Sequence, residues 1–312
     1  MKPIAFILGL ALLPAPRQSD GQGDPRWYLA QLRLWLSRPC GPGRACETWQ
    51  AVAGRPAVEA SDPLYRKHAR LFSKGCRLSG ERPPALPAGK LVRWDVDGDG
   101  RPELVFAGGC TPEPYFVILT ASGDAFAAWR DFPARLLGIS LHERRLVLMA
   151  AREGYGVARD SSFVLWDCEP RDASTCRELV FRWAGEISGP LPESDIRPCS
   201  LARDAALRTG PRVDDRPEES GMGFEWPGNL YQMLAAGSSG WVLHLRRGAD
   251  GGTWALAVFQ APADAPRDPL AAIERPHRAG PPVCPGPGSR AEYILGWIRS
   301  DDLVPGPAHN PH

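Results

Sequence analysis

Short apolar runs separated by polar breaks dominate the middle of the chain. They are rich in leucine, valine, isoleucine and aromatic residues, and they end at glycine, aspartate or Glu-Arg breaks. The runs are residues 104–107, 115–120, 136–140, 146–150 and 162–166. Runs of this length, bounded by turn residues, are typical of β-strands. Because successive runs follow one another closely, the pattern predicts an antiparallel meander.

A second set of apolar runs lies nearer the C-terminus. Residues 240–246 and 254–260 flank the glycine-rich stretch 248–252. Glycine tolerates the positive φ that tight turns require, so this stretch predicts a β-hairpin. From 261 to 290 the composition changes to proline, alanine, arginine and glycine, which indicates a long loop before a last strand around 293–298.

The N-terminal region carries the helical signals. Asp24 and Pro25 fit the N-cap and first-turn positions of a helix, and apolar residues then recur at helical spacing up to Pro39. These apolar residues are Tyr28, Leu29, Leu32, Trp35 and Leu36. Asp62 and Pro63 repeat the start signal, which predicts a second helix. We interpret the apolar stripe as a core face in preference to a partner-binding surface.

Together these patterns predict a mainly β fold with a small helical N-terminal region. The proline-rich stretch 81–89 indicates a linker, which places a boundary near residue 85. The expected organisation is a signal peptide at 1–22, a helical cysteine-containing region at 24–84, a β-rich domain at 85–198, a second β domain at 199–305 and a disordered tail at 306–312.

Composition excludes several classes of protein. The 312 residues include 37 Lys and Arg against 36 Asp and Glu, a net charge of +1, so the chain encodes no overall attraction to nucleic acid. The 33 glycines and 33 prolines disfavour long helices, which nearly excludes an all-α fold.

The first residues have the layout of a secretory signal peptide. Lys2 gives a positive start, residues 4–13 form an apolar stretch, and Pro14 and Ala15 follow. We therefore expect a periplasmic or secreted protein. The apolar stretch is shorter than the ~20 residues that span a bilayer, and no later run is longer, so no membrane span is expected.

Eight cysteines fit an oxidising location. Their even number predicts complete pairing as disulfides. Cys40 with Cys46, and Cys168 with Cys176, are close enough in sequence to close local loops, whereas the pairing of the other four stays open. No Cys-x-x-Cys pair occurs, so structural disulfides are favoured over zinc or thiol-redox sites.

One segment carries specific metal chemistry. Asp95, Asp97, Asp99 and Glu103 occupy positions 1, 3, 5 and 9 of a loop, and the carbonyl of Arg101 adds an oxygen donor at position 7. Oxygens at these intervals can converge on Ca²⁺, which takes about six to eight of them. Magnesium is less suited, because it keeps several of its waters.

Two glycines and the loop's charge favour the same interpretation. Gly98 and Gly100 tolerate the backbone angles of a tight curl. Without a cation, the crowded carboxylates would repel one another, which would raise their pKa values or open the loop. Cation binding is therefore expected to contribute to folding of this segment.

Residues 95–104 resemble the calcium loops of FG-GAP and VCBS repeats. The repeat pattern, Asp-x-Asp/Asn-x-Asp-Gly-x-x-Asp/Glu-Leu, is matched at every position, with Glu103 where aspartate is more usual. Position 12 is Phe106, so the loop lacks the bidentate glutamate of an EF-hand. The resemblance implies a calcium loop that enters a strand of a partial propeller-like sheet, because one copy does not build a closed propeller. The preferred role of the ion is to join two strands.

A second resemblance covers the C-terminal region. Residues 207–211, Leu-Arg-Thr-Gly-Pro, and residues 296–303, which begin Gly-Trp-Ile, look like the two ends of a bacterial SH3-like domain. The resemblance implies a small barrel at 199–305 that binds peptidoglycan or a periplasmic or extracellular protein. Trp226 and Tyr231 are predicted to lie in a loop flanked by glycine and proline, so they are expected to be exposed and to bind the ligand. Most other aromatic residues here, including Trp241, Trp254 and Trp297, are expected in the core.

The sequence favours a binding protein over an enzyme. It contains no Gly-x-Ser-x-Gly elbow, no His-Glu-x-x-His and no phosphate-binding Gly-x-x-x-x-Gly-Lys-Ser/Thr, and its histidines are isolated. An alternative is a periplasmic inhibitor or immunity protein against a lysozyme-like hydrolase. Some such inhibitors carry Ser-Gly-x-x-Tyr on the inserted loop, which Ser122 to Phe126 resembles, with phenylalanine replacing tyrosine. Tyr155 is a second candidate at a predicted hairpin tip. The oligomeric state stays open.

Overall fold

The computed structural model of the chain describes a defined set of residues. These are residues 25–37, 46–48, 57–58, 62–63, 66–68, 89–110, 113–122, 125–142, 145–152, 162–183, 191, 196–219, 225–261 and 271–306. The predicted signal peptide, Tyr155 and the tail beyond residue 306 lie outside the described residues.

The first helix forms where the sequence predicts it. Helix α1 spans Pro25–Ser37 and buries Tyr28, Leu29 and Leu32. Residues 63 and 66–68 are also helical, and the rest of the predicted second helix lies outside the described residues. No helix in the described ranges combines the length and the apolar character needed to cross a membrane.

The apolar runs form antiparallel strands as predicted, but in two meanders where the sequence predicts one. The first is a four-stranded sheet in the order β2-β3-β4-β5, with β2 at Gly89–Trp94, β3 at Glu103–Cys110, β4 at Glu113–Ser122 and β5 at Ala125–Phe132. The second contains β6 at Arg135–His142, β7 at Arg145–Arg152, β8 at Ser162–Glu169 and β9 at Asp172–Trp183. Strand β1, Cys46–Thr48, pairs with the outer side of β6.

The two meanders pack face to face, and α1 covers the other face of the second. Phe116 and Phe132 of the first sheet stack at 4.5 Å between ring centroids, and Phe132 lies 4.8 Å from the ring of Trp166 in β8. Val147 and Met149, on the opposite face of β7, belong to the cluster that includes the buried residues of α1. Burial on both faces explains why β7 is an unbroken apolar run.

The C-terminal region continues the second sheet. Its strands are β10 at Arg197–Leu201, β11 at Ala205–Arg208, β12 at Glu218–Glu219, β13 at Glu225–Trp226, β14 at Leu230–Leu234, β15 at Ser239–Arg247, β16 at Thr253–Gln260, β17 at Arg290–Arg299 and β18 at Leu303–Pro305. Helix α2, Ala271–Glu274, lies in the long connection before β17. The predicted hairpin at 248–252 is confirmed, because β15 pairs with β16 across it.

A parallel strand pair joins the two halves of the molecule. Strand β17 runs parallel to β9, from the pair Arg290↔Glu178 to the pair Leu295↔Trp183. Among the described residues this makes one sheet of 12 strands, which is mixed because of this pair. Residue 198, the expected end of the β-rich domain, lies inside β10.

The cysteine predictions have two outcomes. Cys168 and Cys176 form a disulfide, as predicted, with Cα atoms 4.1 Å apart across the β8–β9 hairpin. Complete pairing is wrong, because Cys199 is a buried thiol in an apolar cluster. Burial raises the pKa of the Cys199 thiol to about 12, so this side chain behaves as a small apolar residue.

Candidate metal centre

The acidic loop, residues 95–102, connects β2 to β3 at one end of the first sheet. Trp94 and Glu103 form the last pair of the hairpin, so the loop leads directly into β3. Gly98 and Gly100 have φ of 74° and 82°, which are the left-handed values that the sequence reasoning anticipates. Val96 is buried among the residues between the two sheets and anchors the loop to the core.

The structure brings the three aspartates of the loop together. One carboxylate oxygen from each of Asp95, Asp97 and Asp99 lies within 4.8 Å of the others. The positive φ of Gly98 and Gly100 lets the backbone curl tightly enough to bring these three residues close together. The three groups could hold a metal ion.

Backbone amides of the loop hold these carboxylates in place. The two oxygens of Asp95 accept hydrogen bonds from the amides of Gly98, at 2.8 Å, and Gly100, at 3.0 Å. Asp97 Oδ1 accepts from the Asp99 amide at 3.2 Å, and Asp99 Oδ1 accepts from the Arg101 amide at 2.8 Å. Arg101 itself is exposed. The loop thus satisfies much of its own hydrogen bonding.

Glu103 lies beside this group but is held differently. Its side chain is buried, and Oε2 accepts a hydrogen bond from the Val96 amide at 2.9 Å. Burial raises the pKa of Glu103, and the charges of Asp97 and Asp99 raise it further. Glu103 therefore feels the charge of the aspartates, but it is not among the three residues whose oxygens converge.

Arg171, which the sequence analysis does not identify, also contacts the acidic loop. Arg171 Nε lies 2.8 Å from Asp97 Oδ2, and its Nη2 contacts Asp99 Oδ2. The hydrogen bond from the Arg101 amide lowers the pKa of Asp99, and Arg171 lowers it further, although some desolvation opposes them. Arg171 is 72 residues from Asp99 in sequence, so no local pattern could have indicated this contact.

Arg171 reaches the loop from the tip of a cross-linked hairpin. Pro170 and Arg171 are the turn between β8 and β9, where Glu169 pairs with Asp172. The Cys168–Cys176 disulfide closes this hairpin just behind the turn. Thr175 adds a bridge, because its hydroxyl donates to the Asp172 carbonyl at 2.7 Å and accepts from the Glu169 amide at 2.9 Å.

The candidate ligand-binding residues do not gather at this loop. Ser122 lies at the end of β4, where it pairs with Ala125 of β5. Phe126 is half-buried and packs against the apolar cluster on the outer face of the first sheet. Trp226 lies in β13, opposite Glu218, and Tyr155 lies outside the described residues.

The aromatic residues of the C-terminal region divide as follows. Trp241, Trp254 and Trp297 are buried, which confirms the prediction that most aromatic residues there are core. The predicted loop location is wrong for Trp226, which lies in β13, and for Tyr231, which lies in β14. Tyr231 is half-buried against an apolar cluster that contains Leu207 and Ile298.

The two ends of the SH3-like sequence pattern meet in space. Arg208 of β11 pairs with Trp297 of β17. Gly296 is required at this contact, because a Cβ there would lie 2.6 Å from Leu207 Cγ and 3.0 Å from the Arg208 carbonyl oxygen. Arg208 is buried, and its Nη1 donates to Asn229 Oδ1 at 2.8 Å.

Comparisons with known proteins assign no family. No protein-family model matches the chain, and no solved structure matches it. A curated tetraacyldisaccharide 4'-kinase from Rhodopseudomonas palustris (strain BisA53) is 40% identical over 101 residues, which cover 30% of this chain and 27% of the kinase. The chain thus spans little more than a quarter of that relative.

Proposed function

We propose that the protein is an exported, non-catalytic calcium-binding protein whose SH3-like region binds the cell wall or a protein partner. The observation that carries the calcium site is the convergence of Asp95, Asp97 and Asp99 within 4.8 Å, in a loop whose sequence matches the FG-GAP and VCBS pattern at every position.

The charge of the loop supports a divalent cation. When ionised, the three aspartates and Glu103 carry four negative charges, whereas Arg101 and Arg171 bring two positive ones. A divalent ion would neutralise twice as much of this negative charge as a monovalent ion would. Calcium suits the site better than magnesium, because aspartate and backbone oxygens with variable spacing satisfy its larger, flexible coordination shell.

Titration calorimetry tests the metal site. The wild-type chain, freed of metal with a chelator, is expected to bind Ca²⁺ more tightly than Mg²⁺. D97N/D99N is expected to lose about 100-fold or more in calcium affinity, because two charged ligands become neutral. D301N removes one charge from an exposed aspartate outside the loop and serves as the control. No calcium heat from the wild type would contradict the proposal.

The binding role rests on a different set of residues. Support comes from the pairing of Arg208 with Trp297, which joins the two segments that resemble SH3-like domains. A short 3-10 turn, Ser300–Asp302, also precedes β18, which pairs with β10 at the start of the region. Trp226 and Tyr231 are the residues that we propose for contact with the ligand.

Retention on purified peptidoglycan tests this role. W226A/Y231A is expected to lose retention while its circular dichroism spectrum stays that of the wild type. Y231F keeps the ring and serves as the matched control. Equal retention of the wild type and W226A/Y231A would remove these two residues from the proposed groove. Undiminished lysis by several lysozymes in the presence of the protein would argue against the inhibitor alternative.

A further inference from the structure

The oxygens of the acidic loop are divided between two kinds of partner. Four of the six aspartate oxygens accept backbone amides: both from Asp95, and Oδ1 from each of Asp97 and Asp99. The remaining two, Asp97 Oδ2 and Asp99 Oδ2, are contacted by the guanidinium of Arg171. Arg171 therefore occupies the two oxygens that the loop's own backbone leaves to other partners.

The constrained turn between β8 and β9 positions Arg171 at these oxygens. Arg171 has φ of 68°, and it is the non-glycine residue with positive φ among the residues that the structure describes. A two-residue turn holds this conformation, and the disulfide behind the turn limits how far the turn can move. A tethered group of this kind acts at a high effective concentration.

The contact also changes how accessible the carboxylates are. The side chain of Asp97 is only 8% exposed, whereas that of Arg171, which contacts Asp97 Oδ2, is 51% exposed. A cation that binds Asp97 Oδ2 must therefore displace the guanidinium from this oxygen or lie close beside it. Both are cations, and close approach of like charges is unfavourable.

From this geometry we infer that Arg171 is a built-in competitor of the divalent ion. The inference rests on the proposed calcium function. Without calcium, the guanidinium neutralises part of the loop and keeps it closed. When calcium binds, it takes Asp97 Oδ2 and Asp99 Oδ2, and Arg171 leaves them. Calcium binding and docking of the β8–β9 turn on the loop are thus reciprocally linked.

Calcium affinity of matched arginine variants tests the inference. R171Q removes the competing charge and is expected to bind Ca²⁺ about three- to tenfold more tightly than the wild type. R171K keeps the charge but loses the planar fork, so its affinity is expected to lie between them. R216Q is the control, because it removes the same charge from an exposed arginine that pairs with Asp214 elsewhere.

Thermal unfolding with and without calcium separates competition from a purely structural role. R171Q is expected to unfold at a lower temperature than the wild type in chelator, and at the same temperature in saturating calcium. A deficit that persists equally in both conditions would overturn the inference, because Arg171 would then remain on the loop in the bound state.

The outcomes distinguish the inference from the proposed function. Calcium binding by the wild type, with unchanged affinity in R171Q, overturns the competition and leaves the calcium site intact. Absence of binding in the wild type, R171Q and R216Q overturns the calcium function, and the inference with it. Binding by R171Q alone supports the competition, since it shows that the arginine blocks a competent site, but it contradicts calcium binding as a function of the wild type.

Discussion

Two hairpins meet at Arg171, and they are closed in different ways. The β2–β3 hairpin ends in the long acidic loop, which is held by amides bonded to its aspartates. The β8–β9 hairpin ends in a two-residue turn that is held by the Cys168–Cys176 disulfide. One closure depends on charge and on what neutralises it, whereas the other is covalent. The difference shows which hairpin can respond to a ligand and which can serve as a fixed support.

Removing the Cys168–Cys176 disulfide is expected to have the largest effect on stability. C168A/C176A should lower the free energy of unfolding by about 2–3 kcal/mol, because the cross-link restricts the unfolded chain. Urea unfolding measures this loss. C199A is the matched control, since it truncates a buried thiol that closes no loop, and it should cost about 1 kcal/mol. Equal losses in the two variants would mean that the disulfide contributes nothing beyond packing.

The contribution of the acidic loop to stability can be tested at its two glycines, Gly98 and Gly100. G100A should cost about 1 kcal/mol of unfolding free energy, because φ of 82° is unfavourable for alanine although nothing lies within 4 Å of the added Cβ. G98A should cost more, about 2 kcal/mol, because its Cβ would also lie 2.9 Å from Leu141 Cδ2. Chemical unfolding in chelator measures both. A reversed order would show that the loop does not rest on the end of β6.

The sequence predicts the acidic loop better than it predicts the disulfide-closed hairpin. Asp95, Asp97 and Asp99 are recognisable because their spacing and the two glycines lie within one short segment. The contact of Arg171 depends on the packing of two meanders far apart in sequence. Contacts between distant segments leave no local pattern in the sequence, so Arg171 could not be anticipated as a partner of the loop.

Strands with two apolar faces could be predicted from the sequence. Strands that form mainly because neighbouring strands pair with them could not. The runs in β3, β4, β6, β7 and β8 are plain in the sequence. Within the two meanders, the strands that were missed are β2, β5 and β9. Strand β5 contains three alanines, and β9 begins with polar residues, so their intrinsic preference for a strand is weak. They are strands because neighbouring strands bond to them, which is a tertiary effect.

The ion pairs between β9 and β17 allow a test with a smaller expected effect on stability. Burial would raise the pKa of Glu292, but the guanidinium groups of Arg182 and Arg290 hold it below its ordinary value of 4.5. A lowered carboxyl pKa contributes stability above pH 4.5 and loses it as the pH falls through the folded-state pKa. E292Q should therefore cost about 0.5–1 kcal/mol at neutral pH and nothing in acid, as measured by unfolding at several pH values.

The exposed Glu274 of α2 supplies the control for this junction. E274Q removes the same charge from a residue outside the β9–β17 pair, so its stability relative to the wild type should not depend on pH. If E292Q and E274Q respond alike, the ion pairs across β9 and β17 add nothing to the parallel pairing.

Substitution of Glu103 is expected to give the smallest change in stability. It also distinguishes a metal ligand from a residue that only stabilises the loop. Its raised pKa means that the folded protein holds the proton more readily than the unfolded chain, so its effect on stability is lost as the pH rises through that pKa. E103Q keeps an oxygen for the Val96 amide without the charge. In chelator at neutral pH it should therefore be as stable as the wild type, or more stable by about 0.5 kcal/mol.

Calcium should reverse this order of stability, because the wild type then has a charged carboxylate ligand for the ion that E103Q lacks. E103A removes both the charge and the acceptor of the Val96 amide, so it should be less stable than E103Q under both conditions. Equal calcium affinities of the wild type and E103Q would make Glu103 a support of the loop, and would confine the metal ligands to the three aspartates and the backbone. A lower stability of E103Q in chelator would instead mean that the carboxylate charge itself holds the loop against β3.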